Sequence, residues 1–132
     1  MIVYRRAMLR IGARLAPREK ALGFVTGDSL GQVASQTAEN LRTIGAAATL
    51  PVYQPLCGDD KMEIVALARR IGTYEISIRP HEDCCSFMIA DHPATRSRVA
   101  EIERVEAEVP WDALVDEALA GATREVLRAR PC

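Results

Sequence analysis

The chain has 132 residues, 48% apolar and 27% charged, with a net charge of −1. That length supports one domain with its own core, and the near-neutral balance supplies no global field toward nucleic acid or a membrane surface. No apolar run approaches the roughly 20 residues of a bilayer span, and Met1-Ile2-Val3-Tyr4-Arg5-Arg6 lacks the pattern of a secretory leader. Cys57, Cys84, Cys85 and Cys132 form neither a CxxC pair nor a dense disulfide framework. They read as reduced thiols of a cytoplasmic protein without a membrane partner.

Residues 3–16 carry a helical pattern, with Val3, Met8, Leu9, Ile11 and Leu15 on one face and the arginines mostly on the other. Pro17 is expected to end this helix, because a proline disfavours helical backbone at the residue before it. A basic helix face is usually only solvated. Arg5 and Arg6 lie near the N-terminal end, however, where a cation gains nothing from the helix dipole, and this favours a functional role for one of them.

Ala21 to Val25 reads as a buried strand that stops at Thr26-Gly27. A helix is expected from about Leu30 to Thr43, with Val33, Ala34, Thr37, Leu41 and Ile44 as its apolar stripe. Strand, glycine turn and helix together put free backbone N–H groups beside one spot, which suits a phosphate. Gly27 and Gly31 would let a ligand approach the backbone. Asp28, Ser29, Gln32, Ser35 and Gln36 make that turn unusually polar. The same pattern fits a plain turn in which Asp28 or Ser29 merely caps the helix, and both readings stand on pattern alone.

Pro51 to Leu56 is a second short strand. Asp60 and Glu63 are spaced for a capping box, and Ile64, Val65, Leu67, Ala68 and Ile71 mark the buried face of the helix they open, which Gly72 ends. Lys61 sits in its first turn, where acids are favoured. It is either a solvated lysine or a point charge for a phosphate. Thr73 to Pro80 reads as extended or loop. His81-Glu82-Asp83-Cys84-Cys85 is a second dense polar cluster. The spacing of His81, Cys84, Cys85 and His92 matches no standard metal site. A nucleophilic thiol is the better functional reading, against a structural one of two small buried residues. Arg98 to Glu108 is a charged helix and Pro110 breaks it. Trp111 to Arg128 is a last amphipathic helix with Trp111, Leu114, Val115, Leu119 and Val126 inward. The alternation of strands and helices argues an α/β fold with a parallel sheet. Ligands of such sheets bind beyond the carboxyl ends of the strands, where the 26–36 turn, the Gly58–Lys61 turn and the 81–85 loop are expected to meet.

Several stretches carry a family resemblance: Thr26-Gly27-Asp28-Ser29-Leu30-Gly31-Gln32-Val33-Ala34-Ser35-Gln36-Thr37, Asn40-Leu41, Gln54-Pro55-Leu56, Asp60-Lys61-Met62-Glu63-Ile64, Ala68-Arg69-Arg70-Ile71-Gly72-Thr73 and Asp83-Cys84-Cys85. Residues 1 to about 107 resemble, in order, the tRNA 4-thiouridine synthetases, a sulfurtransferase family also linked to thiamine thiazole biosynthesis. The resemblance implies the C-terminal part of a PP-loop ATP pyrophosphatase domain, a Rossmann-like parallel sheet, with residues 108–132 as a helical tail. It implies ATP with Mg2+, adenylation of uridine 8 of tRNA, and replacement of the activated oxygen by sulfur from a persulfide donor such as a cysteine desulfurase. Arg5, Gly27 and Gln36 fall on nucleotide contacts. Asp28 and Lys61 fall beside the triphosphate, with Lys61 assisting adenylation. Cys84 falls on the cysteine that handles sulfur.

The departures are equally specific. The Ser-Gly-Gly-x-Asp-Ser run of the PP-loop does not occur in the sequence, nor do the family's tRNA-binding modules or a rhodanese region. The expectation is a chain without turnover alone, associating with itself or with a complementary PP-loop half through an unpaired sheet edge. The competing expectation is a noncatalytic nucleotide-binding or assembly module. Another PP-loop ligase would leave Asp83-Cys84-Cys85 without a task.

Overall fold

A computed structural model describes residues 1–81 and 93–127. Helix α1 spans Ile2–Glu19 and leads into strand β1, Phe24–Val25. A long loop with a 3-10 turn at Ala34–Gln36 precedes helix α2, Ala38–Gly45. Strand β2, Val52–Tyr53, is followed by helices α3, Lys61–Arg70, and α4, Tyr74–Ser77. Helices α5, Val99–Glu106, and α6, Trp111–Ala120, complete the described elements. The strands pair in parallel, Phe24 opposite Val52 and Val25 opposite Tyr53. The bonds Phe24 N–H to Pro51 O (2.8 Å) and Thr26 N–H to Tyr53 O (3.0 Å) extend the ladder. This is a partial Rossmann-like α/β unit with a helical tail, as the sequence implies.

The core lies between α1, α2 and one face of the sheet. Ile2, Leu9 and Ile44 are buried there, with Phe24, Ala48, Val52 and Ile102 packed against them. Gly12 makes the α1–sheet approach possible: a Cβ at that position would stand 2.7 Å from Phe24 Cε1. The cost of a glycine inside a helix, about 1 kcal/mol, is thus tied to packing. Asn40 is wholly buried and uses its whole amide. Its Nδ2 donates to Ala34 O (2.6 Å) and Ala94 O (2.8 Å), and its Oδ1 accepts from Ser97 N (2.9 Å) and Ser97 Oγ (2.7 Å). Chain entering from residue 94 is thereby fastened to the start of α2.

Several local expectations are corrected. Pro17 lies inside α1, which runs on to Glu19 and closes at Lys20 in a left-handed conformation, φ 53°. In the last turn a proline forfeits one hydrogen bond while its fixed φ still fits the helix. Met8 faces outward, and the inner stripe is Ile2, Arg6, Leu9 and Ala16. Residues 21–25 are not a buried strand, since Leu22 is 86% and Val25 74% exposed. Strand residues alternate between faces, and the face that carries Val25 and Tyr53 is bare, whereas parallel sheets usually have both faces covered. The helix expected from Leu30 starts at Ala38, capped by Thr37, whose Oγ1 accepts from Asn40 N at 3.2 Å. Neither Asp28 nor Ser29 is a cap. Residues 74–77 form a helical turn rather than extended chain, and Ile71 is exposed. The last helix ends at Ala120, before the exposed Val126, and Leu114 within it faces outward.

The arginine face is corrected most sharply. Arg6 is only 1% exposed. Its Nε and Nη2 grip the Glu106 carboxylate from α5 at 2.8 and 2.7 Å, and its Nη1 donates to Thr43 O at 2.6 Å. Arg10 donates to the same Glu106 Oε2 at 2.7 Å while stacking on Trp111. Burial alone would push the Glu106 carboxyl up; the Arg6 and Arg10 hydrogen bonds and charges outweigh it and hold the carboxyl below its ordinary range.

Candidate functional site

The carboxyl ends of β1 and β2 open onto one polar cluster centred on Asp28, whose side chain is 5% exposed. Its Oδ1 accepts from Arg5 Nη2 at 2.5 Å and from Gln36 Nε2 at 3.2 Å. Its Oδ2 accepts from Thr26 Oγ1 at 2.7 Å and from Gln54 Nε2 at 3.2 Å. These donors come from α1, the end of β1, the 3-10 turn and the end of β2. Burial raises the Asp28 carboxyl pKa, but hydrogen bonds from Thr26, Arg5 and Gln54 more than offset it, and the group ionises below its ordinary range. A carboxylate so held stays charged near neutral pH. It is a fixed acceptor and not a proton donor or base.

The loops around it are stitched together. Ser29 is buried and its hydroxyl donates to Asp59 O at 2.8 Å, while Leu30 N–H donates to Cys57 O at 3.1 Å. Gly31 adopts φ +78°, a conformation that favours glycine, and its N–H bonds Gln36 O at 2.9 Å. This closes the turn that aims Gln36 at Asp28. Gly27 is exposed, and among the described residues no atom outside its chain neighbours lies within 4 Å of where a Cβ would stand, so its backbone is accessible to a ligand. Lys61 is exposed at the start of α3, two residues beyond Asp59. The capping box opens that helix as expected: Asp60 Oδ1 accepts from Met62 N (2.7 Å) and Glu63 N (2.9 Å), and Glu63 Oε2 from Asp60 N (2.7 Å).

The structure therefore brings Arg5, Gly27, Asp28 and Gln36 to one sheet edge and joins the Cys57–Asp59 turn to it. Cys84, Cys85 and His92 lie outside the described residues. The chain beyond them returns at Ala94–Ser97, bonded to Asn40 and, through Thr37 Oγ1 to Thr95 O at 2.7 Å, to the turn that follows Gln36. The expected helix N-terminus after β1 is not there, because α2 begins only beyond Thr37. Charge at the site comes instead from side chains. Thr26, Gln54 and Asn40 belong to the arrangement without having been singled out for it by the sequence. The available signals were their position at strand ends and inside the Gln36–Asn40 run, and their place in the stretches that carry the resemblance. Among the described residues no three potential metal ligands cluster, and no helix is long and apolar enough to cross a membrane.

Residues 1–110 match the family described as Thiamine biosynthesis protein (ThiI). The chain belongs to this family. The ThiI-family chain is 54% identical over 127 residues to a probable tRNA sulfurtransferase of Thermus thermophilus, covering 96% of this chain and 31% of that protein. It is 47% identical over 131 residues to one of Lachnoclostridium phytofermentans, covering 98% and 33%. Among solved structures it resembles a 4-thiouridine synthetase in complex with RNA and with bound ATP: TM-score 0.83 and 49% identity over 91% of this chain and 31% of that one. This ThiI-family chain thus spans about a third of the length of the relatives it matches.

Proposed function

We propose that this chain supplies part of the catalytic domain of an ATP-dependent tRNA sulfurtransferase. The uracil oxygen of uridine 8 would displace pyrophosphate from ATP; the terminal sulfur of a persulfide would then displace AMP at the activated carbon, and a second thiolate would cleave the S–S bond, leaving a disulfide and 4-thiouridine. The observation that carries this reading is the convergence of Arg5, Gly27 and Gln36 at the carboxyl ends of β1 and β2, where nucleotides bind in open α/β sheets. Family membership and the names of the relatives support the reaction class. In this reading Arg5 and Gln36 contact the nucleotide, Gly27 admits it to the backbone, and Lys61 and Asp28 stand on the triphosphate side. Adenyl transfer needs charge stabilisation at phosphoryl oxygens, which Lys61 can supply. Cys84 handles sulfur as a thiolate nucleophile. Mg2+ would arrive on the triphosphate; the described side chains form no ligand set of their own, and no step is assigned to the ion.

The bare sheet face at Val25 and Tyr53 is where a complementary PP-loop half, or a second copy, would pack. tRNA, a cysteine desulfurase as sulfur donor and a supply role for thiamine thiazole belong to the assembled protein in this proposal. Calorimetry with ATP and magnesium tests the nucleotide reading. Micromolar binding weakened by Gln36→Ala is expected, and no binding even to the assembled protein rejects it. In that protein, Cys84→Ser should abolish thiolation and spare adenylation. Loss of both activities would remove Cys84 from the sulfur step.

A further inference from the structure

The geometry points to Asp28 as a positioning residue, completed by Thr26 and Gln54, that fixes Arg5 and Gln36 for the nucleotide and is itself no ligand of metal or phosphate. This rests on the nucleotide reading above and changes the part Asp28 plays in it. An ionised carboxylate offers about four lone-pair positions. All four have donors: Arg5 and Gln36 on Oδ1, Thr26 and Gln54 on Oδ2. Magnesium binds carboxylate oxygen at close range and in near-octahedral geometry. It would have to displace one of these donors from a carboxylate that is itself only 5% exposed, at the cost of a hydrogen bond to a charged group.

The arrangement is directional. A carboxylate only accepts, so each donor turned to it has its position fixed by that bond. Gln36 is turned so that its amide nitrogen meets Asp28, which leaves its Oε1 to face elsewhere. Arg5 commits Nη2 to Asp28, and its planar fork then fixes the direction of its other N–H groups. Thr26 and Gln54 act at one remove: they occupy Oδ2 and so keep Oδ1 turned to Arg5 and Gln36. Glu106 is the internal contrast. It too is buried and paired with α1 arginines, but Arg6 is enclosed and spends its remaining Nη1 on Thr43 O, and Arg10 is packed on the Trp111 ring.

The test is ATP calorimetry on the longest natural chain that carries this sequence, repeated across magnesium concentrations. Thr26→Val is near-isosteric and removes only the hydroxyl donor; Gln54→Leu removes only the amide. Each is expected to weaken ATP about tenfold, the effect of one hydrogen bond to a charged group. Thr26→Ser, which keeps the donor, should restore wild-type affinity. The magnesium concentration at half-maximal ATP binding should be the same in all of them. Wild-type affinity in both Thr26→Val and Gln54→Leu overturns the proposal. A several-fold rise in the magnesium requirement also overturns it, because it would make Asp28 a metal ligand. An equal loss in Thr26→Ser and Thr26→Val overturns it too, in favour of simple packing. If the wild-type chain binds no ATP, the nucleotide reading falls and this proposal with it. If it binds and the variants match it, this proposal falls alone.

Discussion

Two buried carboxylates, both answered by arginines of the same helix, divide this molecule. Arg5 and Arg6 are neighbours on α1, and the helical turn of about 100° per residue sends them to different sides. Arg6 goes inward to Glu106, where two guanidinium groups and one carboxylate join α1 to α5. Arg5 goes to the sheet edge and meets Asp28 with a hydroxyl and two amides drawn from three further segments. The first arrangement is a clamp: strong donors from one element, one acceptor, and a hydrogen bond to Thr43 O that uses a further donor. The second assembles neutral, orientable groups around a fixed charge where the backbone at Gly27 is open. Burial and pKa shift are alike in direction for the two acids. What separates a structural acid from a site acid here is the kind of donor and what lies on its far side.

The comparison is broken most directly at Glu106. Glu106→Gln leaves Arg6 buried beside a neutral amide, and loss of a buried ion partner costs about 3–5 kcal/mol. Urea unfolding should show that loss. ATP affinity of the molecules that remain folded should be unchanged, and a parallel fall in affinity would show that the clamp and the site are one unit. Acid sharpens the contrast next. Asp28 and Glu106 both ionise at lower pH folded than unfolded. Their stabilisation is therefore complete above the unfolded carboxyl range, about pH 4–4.5, and is lost as pH falls through the folded values. Stability of the wild-type chain should drop below about pH 4. Glu106→Gln should flatten that drop, and an unchanged slope would mean that Glu106 is not held as the structure shows. The smallest expected effect is at Asp60→Ala, which removes the capping box of α3 and should cost about 1 kcal/mol. Because the Ser29–Asp59 bond joins the turn before α3 to the site, and Glu106 lies on α5, the variant should shift the unfolding midpoint slightly and leave the Glu106 acid response intact. A larger loss would show that the cap also holds the Ser29–Asp59 bond.

Local chemistry was legible in the sequence wherever neighbours in the chain decide the outcome. The Asp60–Glu63 box, the stop at Gly72 (φ +77°) and the polar turn after Thr26 follow from adjacent residues, and the parallel pairing of the two short strands follows from the alternation of strand and helix. The family resemblance rested on the same runs. Pattern kept Gly27, Asp28 and Gln36 in one turn, and only the resemblance joined Arg5 to them. Pattern missed contacts and burial that depend on what arrives from elsewhere. Arg6 reads from sequence as solvated or, with Arg5, as a candidate functional cation, because nothing within α1 reveals that Glu106 lies opposite, 100 residues on. Val25 looked buried, because a short apolar run does not tell which sheet face is covered.

Sequence by itself determined the repertoire: an α/β unit, the donors and acceptors of the turn after β1, and the family that shares them. Only the tertiary structure decided which acid is enclosed by which donors. Local signals act over one turn or one hairpin, through backbone sterics and spacing. The bonds of Asp28 to Arg5 and Gln54, and of Glu106 to Arg6, span 23, 26 and 100 residues, and exist only once the core has set α1 against the sheet and α5.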